Sequence, residues 1–188
     1  MNVTETKLPG VKIIDPRVFT DTRGFFMETW SRARYMKAGL PDVFAQDNLS
    51  CSIRGVLRGL HFQHPSEQGK LVYVIQGEVF DVAVDIRVNS PTFGRWVGVI
   101  LSGNNKRQLY IPEGFAHGYC VTSKTALFAY KCTDCYNPRA EGAIRWDDPD
   151  LGINWPNDQP ILAEKDKICP RLSDIPLDRL PRYREIER

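Results

Sequence analysis

The chain has 188 residues, 42% of them hydrophobic and 26% charged, with a formal net charge of +2. A chain of this length buries roughly 70% of its unfolded surface and needs neither disulfide nor metal to hold a core, and its composition argues for a folded protein rather than a disordered one. The small net charge speaks against a general nucleic-acid binder, and no apolar run approaches the roughly 18 residues of a membrane-spanning helix.

The N-terminal stretch MNVTETKLPG lacks the apolar core of a secretory signal, so the expected location is the cytoplasm. Five cysteines, Cys51, Cys120, Cys132, Cys135 and Cys169, are then expected as free thiols. Val11–Ile14, Phe25–Trp30 and Phe44–Cys51 read as extended. Ser31–Ala38 reads as the one short helix, with Ser31 as N-cap and Gly39 beyond its end. Residues 55–72, GVLRGLHFQHPSEQGKLV, hold two of the chain's three histidines in a strand-like run between Arg58 and Lys70. Lys70–Ile75 is a further strand, and Gln76-Gly77 is expected to turn a tight hairpin into Glu78–Arg87.

In that strand Phe80, Val82, Val84 and Ile86 alternate with a set that includes Asp81, Asp85 and Arg87, which gives it two unlike faces. Phe93–Leu101, Arg107–Ile111, Gly118–Thr122 and Thr125–Lys131 add strands, separated by turns rich in Gly, Pro and Asn. From about residue 137 the chain is rich in Pro, Asp and Trp, and 137–188 is expected to wrap the body of a single domain, 1–188. Many short antiparallel strands with one helix predict an all-β sandwich or jelly roll. Alternation alone leaves Asp81 facing either an internal cavity or solvent.

Ile111-Pro-Glu-Gly-Phe-Ala-His117 contains P-x-G-x-x-H and resembles the second motif of cupins. The first motif would be His61-Phe-Gln63, with one of two histidine ligands missing. His64 lies three residues along, on the opposite face of a regular strand. No metal and no cofactor are therefore expected. Cys132-Thr-Asp-Cys135 lacks both a second cysteine pair and a helix to open, so it reads as two ordinary thiols. His61 and His117 are either hydrogen-bonded core residues or members of a proton-transfer site. Arg58, Lys70, Asp81 and Tyr130 on neighbouring strands favour the second reading. A base, a cation for an oxyanion and a phenol to return a proton are the parts needed beside a carbonyl. Arg23 and Arg58 are candidates to clamp a diphosphate.

The motifs Asp21-x-Arg-Gly-x-Phe-x-Glu28, Gln46-x-Asn48, Gly55-Val-Leu-Arg-Gly-Leu-His-Phe-Gln63 and Gln68-Gly-Lys-Leu-Val72 follow one another in order. So do Asp81-Val-Ala-Val-Asp-Ile-Arg87, Ser90-Pro-Thr-Phe-Gly94, Ile111-Pro-x-Gly-Phe-Ala-His-Gly118, Tyr130-Lys-x-Thr-x-x-Tyr136, Ile144-x-Trp-x-Asp-Pro149 and Glu164-Lys-Asp166. With these motifs, nearly end to end, the chain closely resembles the dTDP-4-dehydrorhamnose 3,5-epimerase family of cupin-fold deoxysugar epimerases. The resemblance implies a cupin-type jelly-roll barrel and metal-free epimerisation at C3 and C5 of dTDP-4-keto-6-deoxy-D-glucose, on the route to dTDP-L-rhamnose. It implies His61 as base oriented by Asp166, Lys70 at the enolate oxygen and Tyr130 as acid on the opposite face. His117 and Asp81 would line the sugar pocket, and Arg23 and Arg58 would hold the diphosphate. Phe26 and Tyr136 would sandwich thymine, with Glu28, Gln46 and Asn48 in polar contact with the nucleotide. The family pattern further implies a homodimer that exchanges its N-terminal strand, with Arg23, Phe26 and Glu28 serving the neighbour's site.

For Arg58 and His61, three apart, to share one pocket, Gly59 must mark a bulge or twist that resets the alternation. The alternatives are an epimerase of one carbon only, a non-catalytic nucleotide-sugar-binding cupin and a metal-dependent cupin enzyme.

Overall fold

Period-two patterning makes β-strands the dominant regular structure, and a computed structural model describes residues 1–183. Four short strands open it: β1 (Asn2–Glu5), β2 (Lys12–Asp15), β3 (Val18–Asp21) and β4 (Gly24–Met27). The helix α1 (Arg32–Lys37) follows, with Ser31 at its N-cap position but no side-chain capping bond. Then come β5 (Gln46–Ile53), β6 (Leu57–Gln63), β7 (Lys70–Gln76) and β8 (Glu78–Asp85). The barrel is completed by β9 (Trp96–Ser102), β10 (Gln108–Ile111), β11 (Phe115–Val121) and β12 (Thr125–Cys132). The short β13 (Glu141–Ala143) and the one-turn helix α2 (Glu164–Lys167) lie in the C-terminal segment.

A six-stranded sheet in the order β1-β2-β10-β7-β12-β5 faces a five-stranded sheet in the order β13-β6-β11-β8-β9, while β3 and β4 pair only with each other. All pairings between these strands are antiparallel. The result is the expected cupin-type jelly roll. Between the sheets lie Val72, Val79, Ala83, Leu109, Tyr119 and Phe128, among others. A second apolar layer sets Val82, Val84 and Ile86 against Ile144, Leu151, Leu172 and Leu180. The third sets Tyr35 and Leu40 against Ile14, Leu71 and Tyr110. The C-terminal segment thus covers the outer face of the five-stranded sheet; residues 184–188 of that segment lie outside the described residues. Among the described residues no helix is long and apolar enough to cross a membrane.

One expectation changes and one open alternative is decided. β7 and β8 do not form a hairpin, because they belong to different sheets. Gly77 turns the corner between them at φ +85, where a Cβ would fall 2.0 Å from the Thr125 carbonyl oxygen. A single linking residue cannot make a two-residue hairpin loop, but it can pass a strand from one sheet to the other. The pairings also decide which face of β8 points inward, a choice that alternation left open. Val82 and Val84 face the outer layer under the C-terminal segment, while Val79, Asp81 and Ala83 face the barrel interior. Both faces are buried, so Asp81 is on the cavity side rather than in solvent.

Candidate active site

Arg58 and His61 both come from β6, and the pairing with β11 explains how. His117 stands opposite His61 and Tyr119 opposite Arg58, with a register shift between them. Three residue steps on β6 therefore match two on β11, which is a bulge. Gly59 sits there at φ +118, and a Cβ on it would stand 2.6 Å from both Gly118 Cα and the His117 carbonyl oxygen. Only glycine fits that backbone and that gap. The bulge brings Arg58 and His61 into one cavity of about 350 Å³, shared with Lys70, His117, Tyr130 and Asp166.

Within it, His61 Nε2 lies 2.7 Å from Asp166 Oδ1. The Asp166 side chain is only 2% exposed, whereas that of His61 is 27% exposed. The imidazole thus presents an edge to the cavity and has a carboxylate behind it, the arrangement that orients a general base. His117 makes a second pair: its Nε2 lies 2.9 Å from Asp81 Oδ2. Asp81 is fully buried and stands behind His117, so it supports the pocket wall instead of lining it.

Lys70 opens β7 in register with Cys132, while Tyr130 on β12 pairs with Val72. Desolvation pulls the Lys70 amine below its ordinary pKa, although Cys132, Asp81 and Glu141 counteract it. Burial pushes the Tyr130 phenol up to about 12, with Cys132 and Tyr119 adding to the rise and Arg58 opposing it. Tyr130 therefore holds its proton at neutral pH. The Arg58 guanidinium donates to Ser52 Oγ through Nε and Nη2, both at 3.2 Å. Ser50 Oγ and the Tyr119 hydroxyl are 2.8 Å apart.

A smaller cavity of about 220 Å³ adjoins the first; it shares His61, Lys70, Tyr130, Asn48 and Tyr136 with it and adds Gln46. Gln46 Nε2 donates to Asn48 Oδ1 at 2.9 Å, and Gln46 Oε1 accepts from the Tyr136 backbone N–H at 2.7 Å. Arg23, Phe26 and Glu28 stand apart from both cavities. Phe26, 70% exposed, is on the β3–β4 hairpin, beside exposed Phe19 and Phe25. Arg23 pairs with Asp21, and Glu28 accepts from Arg34 Nε at 2.7 Å. A larger cavity, about 730 Å³, lies under the C-terminal segment, lined by Phe62, Ile168 and Ile175, without His61, Lys70 or Tyr130. Volume alone does not mark the chemistry.

Sequence reasoning missed Ser50, Tyr119, Glu141 and Lys165, which line the cavity, and Ser52, which accepts from Arg58. Ser50 and Ser52 share the β5 face that carries Gln46 and Asn48, and that period-two extension was the available signal. Glu141 and Lys165 sit in the C-terminal segment, where no periodicity points inward. Among the described residues no group of three or more His, Cys, Asp and Glu stands ready to hold a metal. All five cysteines are free.

These features define a class: a jelly-roll protein whose cavity gathers an imidazole–carboxylate pair, a desolvated ammonium and a protonated phenol, the equipment of acid–base chemistry at carbon. A family model described as dTDP-4-dehydrorhamnose 3,5-epimerase matches residues 5–174, and the chain belongs to that family. A dTDP-4-dehydrorhamnose 3,5-epimerase of Methanothermobacter thermautotrophicus is 53% identical over 176 residues, 92% of this chain and 95% of the relative. The crystal structure of a dTDP-6-deoxy-D-glucose-3,5-epimerase from Legionella pneumophila, in complex with dTDP-4-keto-L-rhamnose, is 55% identical with a TM-score of 0.95; the match covers 97% of this chain and 98% of that one. A 3'-monoepimerase from Streptomyces bikiniensis, in complex with dTDP-quinovose, is 34% identical with a TM-score of 0.89, covering 95% of this chain and 92% of that one.

Proposed function

We propose that this chain, as a single epimerase domain, inverts C3 and C5 of dTDP-4-keto-6-deoxy-D-glucose to give dTDP-4-keto-L-rhamnose. The observation that carries this reading is the His61–Asp166 pair at 2.7 Å, opening on the cavity that Lys70 and Tyr130 also line. The C4 ketone acidifies the hydrogens on C3 and C5. His61 removes one of them and becomes an imidazolium, which the Asp166 carboxylate stabilises. Negative charge moves to the ketone oxygen, where the Lys70 ammonium receives it in a site of low dielectric. Tyr130 returns a proton to the opposite face of the same carbon, and that inverts it. Acid–base catalysis of this kind supplies about 10²–10⁴-fold, so the cation at the oxyanion carries much of the rest.

His117, held by Asp81, walls the sugar pocket, and Arg58 takes the diphosphate. Gln46, Asn48 and Tyr136 receive the nucleoside at the smaller cavity. The exposed β3–β4 hairpin supports a homodimer in which Arg23, Phe26 and Glu28 complete the nucleotide site of a second copy. Phe26 would there stack on the thymine face opposite Tyr136. No step uses a metal or cofactor. The five free thiols fit a reducing compartment, the cytoplasm.

The likeness to a 3'-monoepimerase favours a second reading, inversion at C3 alone by the same residues. Purified protein incubated with dTDP-4-keto-6-deoxyglucose and the matching reductase tests the main reading. Turnover by the wild type and none by His61→Ala is expected; equal turnover by His61→Ala would refute the assignment of the base.

A further inference from the structure

Glu141 lines both cavities and is the only carboxylate to do so among the described residues. Its two oxygens have different partners. Oε2 accepts from the Tyr136 hydroxyl at 3.0 Å, and Oε1 accepts from Lys165 Nζ at 2.7 Å. Lys165 is the residue before Asp166 on α2, and Asp166 holds His61. β13, which carries Glu141, is also fixed against β6, with Ala143 in register with His61. One carboxylate therefore ties the proposed nucleobase wall to the turn that orients the base. Burial pushes the Glu141 carboxyl up, but the bonds from Lys165 and Tyr136 outweigh it and hold it below the ordinary carboxylate range. The same contact raises Lys165. Both partners are thus charged at neutral pH, and the tie is an ion pair on one side and a charge-assisted bond on the other.

We infer that Glu141 is a positioning residue that couples occupation of the nucleobase site at Tyr136 to the alignment of His61 and Asp166, through Lys165. The inference rests on the epimerase reading above and deepens it. Binding energy from the nucleotide, remote from the reacting carbon, is spent on setting the base. A nucleotide sugar then gains turnover as well as affinity from its nucleotide.

The test compares wild type, Glu141→Gln, Lys165→Met and the double variant, with kcat and KM for dTDP-4-keto-6-deoxyglucose and the Kd for dTDP by calorimetry. Glu141→Gln keeps an acceptor for Tyr136 and removes the charge facing Lys165, while Lys165→Met cuts the same link from an exposed side chain. Each single variant is expected to lower kcat about tenfold or more, the scale of a small misplacement of reacting groups. The double variant should be no worse than either single one to within about twofold, because both cut one connection. The dTDP Kd should move by less than about threefold, since Tyr136 keeps its bonded hydroxyl. Losses that multiply in the double variant, kcat unchanged in Glu141→Gln, or a loss confined to dTDP affinity would each overturn the coupling. An inactive wild type would instead refute the epimerase reading beneath it.

Discussion

Replacing Asp166 with Asn probes the proposed base directly. The carboxylate is 2% exposed and 2.7 Å from His61 Nε2, and its removal leaves an amide of the same shape. Its charge matters most when the imidazole has taken the proton from carbon and become a cation. A hydrogen bond to a charged group contributes about 1.5–3 kcal/mol. Two unit charges about 4 Å apart at an effective dielectric of about 20 attract by about 4 kcal/mol, which sets a ceiling. A loss of about 2–3 kcal/mol corresponds to a fall of roughly 30- to 150-fold in kcat. KM should barely change, because the Asp166 side chain is 2% exposed and bonds His61. Stopped-flow or coupled-reductase kinetics, with circular dichroism to verify the fold, makes the measurement. A kcat within about threefold of wild type would show that the carboxylate does not serve the base.

Tyr130→Phe removes the proposed returning acid; turnover should fall by about 10²–10⁴-fold while deuterium exchange at the substrate carbon persists, and loss of exchange along with turnover would contradict that division of labour. Lys70 must be charged to serve the enolate, and desolvation lowers its pKa from 10.5, so kcat should fall as pH rises through that lowered value. Tyr130, at about 12, keeps its proton throughout. Lys70→Arg should move the alkaline limb upward, and an unmoved limb would clear Lys70. Stability runs the other way: between the lowered value and 10.5 the unfolded chain binds a proton that the folded chain has released, so urea unfolding should show stability rising with pH across that window. Gly59→Ala places a methyl 2.6 Å from β11 backbone at φ +118. A destabilisation of about 2 kcal/mol or more and weakened dTDP binding are expected, and an unchanged denaturation midpoint would refute the bulge argument.

The fold was largely legible because strand periodicity survives in β5, β8 and β12 without knowledge of their partners. The hairpin at Gly77 was not, since a tight turn and a corner between sheets use the same residues, and only the pairings separate them. The even-numbered apolar stripe of β8 marked a buried face but not which one; the covering layer comes from residues far along the chain, Ile144, Leu151, Leu172 and Leu180. Face alternation argued against His64 as a ligand and would equally have removed Arg58. The bulge at Gly59 rescues Arg58, while His64 lies past the end of β6 and bonds Glu67 Oε1 at 2.5 Å. His61, Lys70 and Tyr130 could be named from residue chemistry on strands. Asp166 came only with the family resemblance, and Glu141 not at all, because short elements in an irregular segment carry no period to read.

The account is tested most directly by proton NMR of the wild-type enzyme with dTDP-4-keto-6-deoxyglucose in deuterated water. It predicts deuterium at both C3 and C5 with inversion of both centres, and neither exchange nor inversion for His61→Ala. Label at one carbon alone would reduce the protein to a mono-epimerase, and exchange undiminished in His61→Ala would contradict the placement of the base.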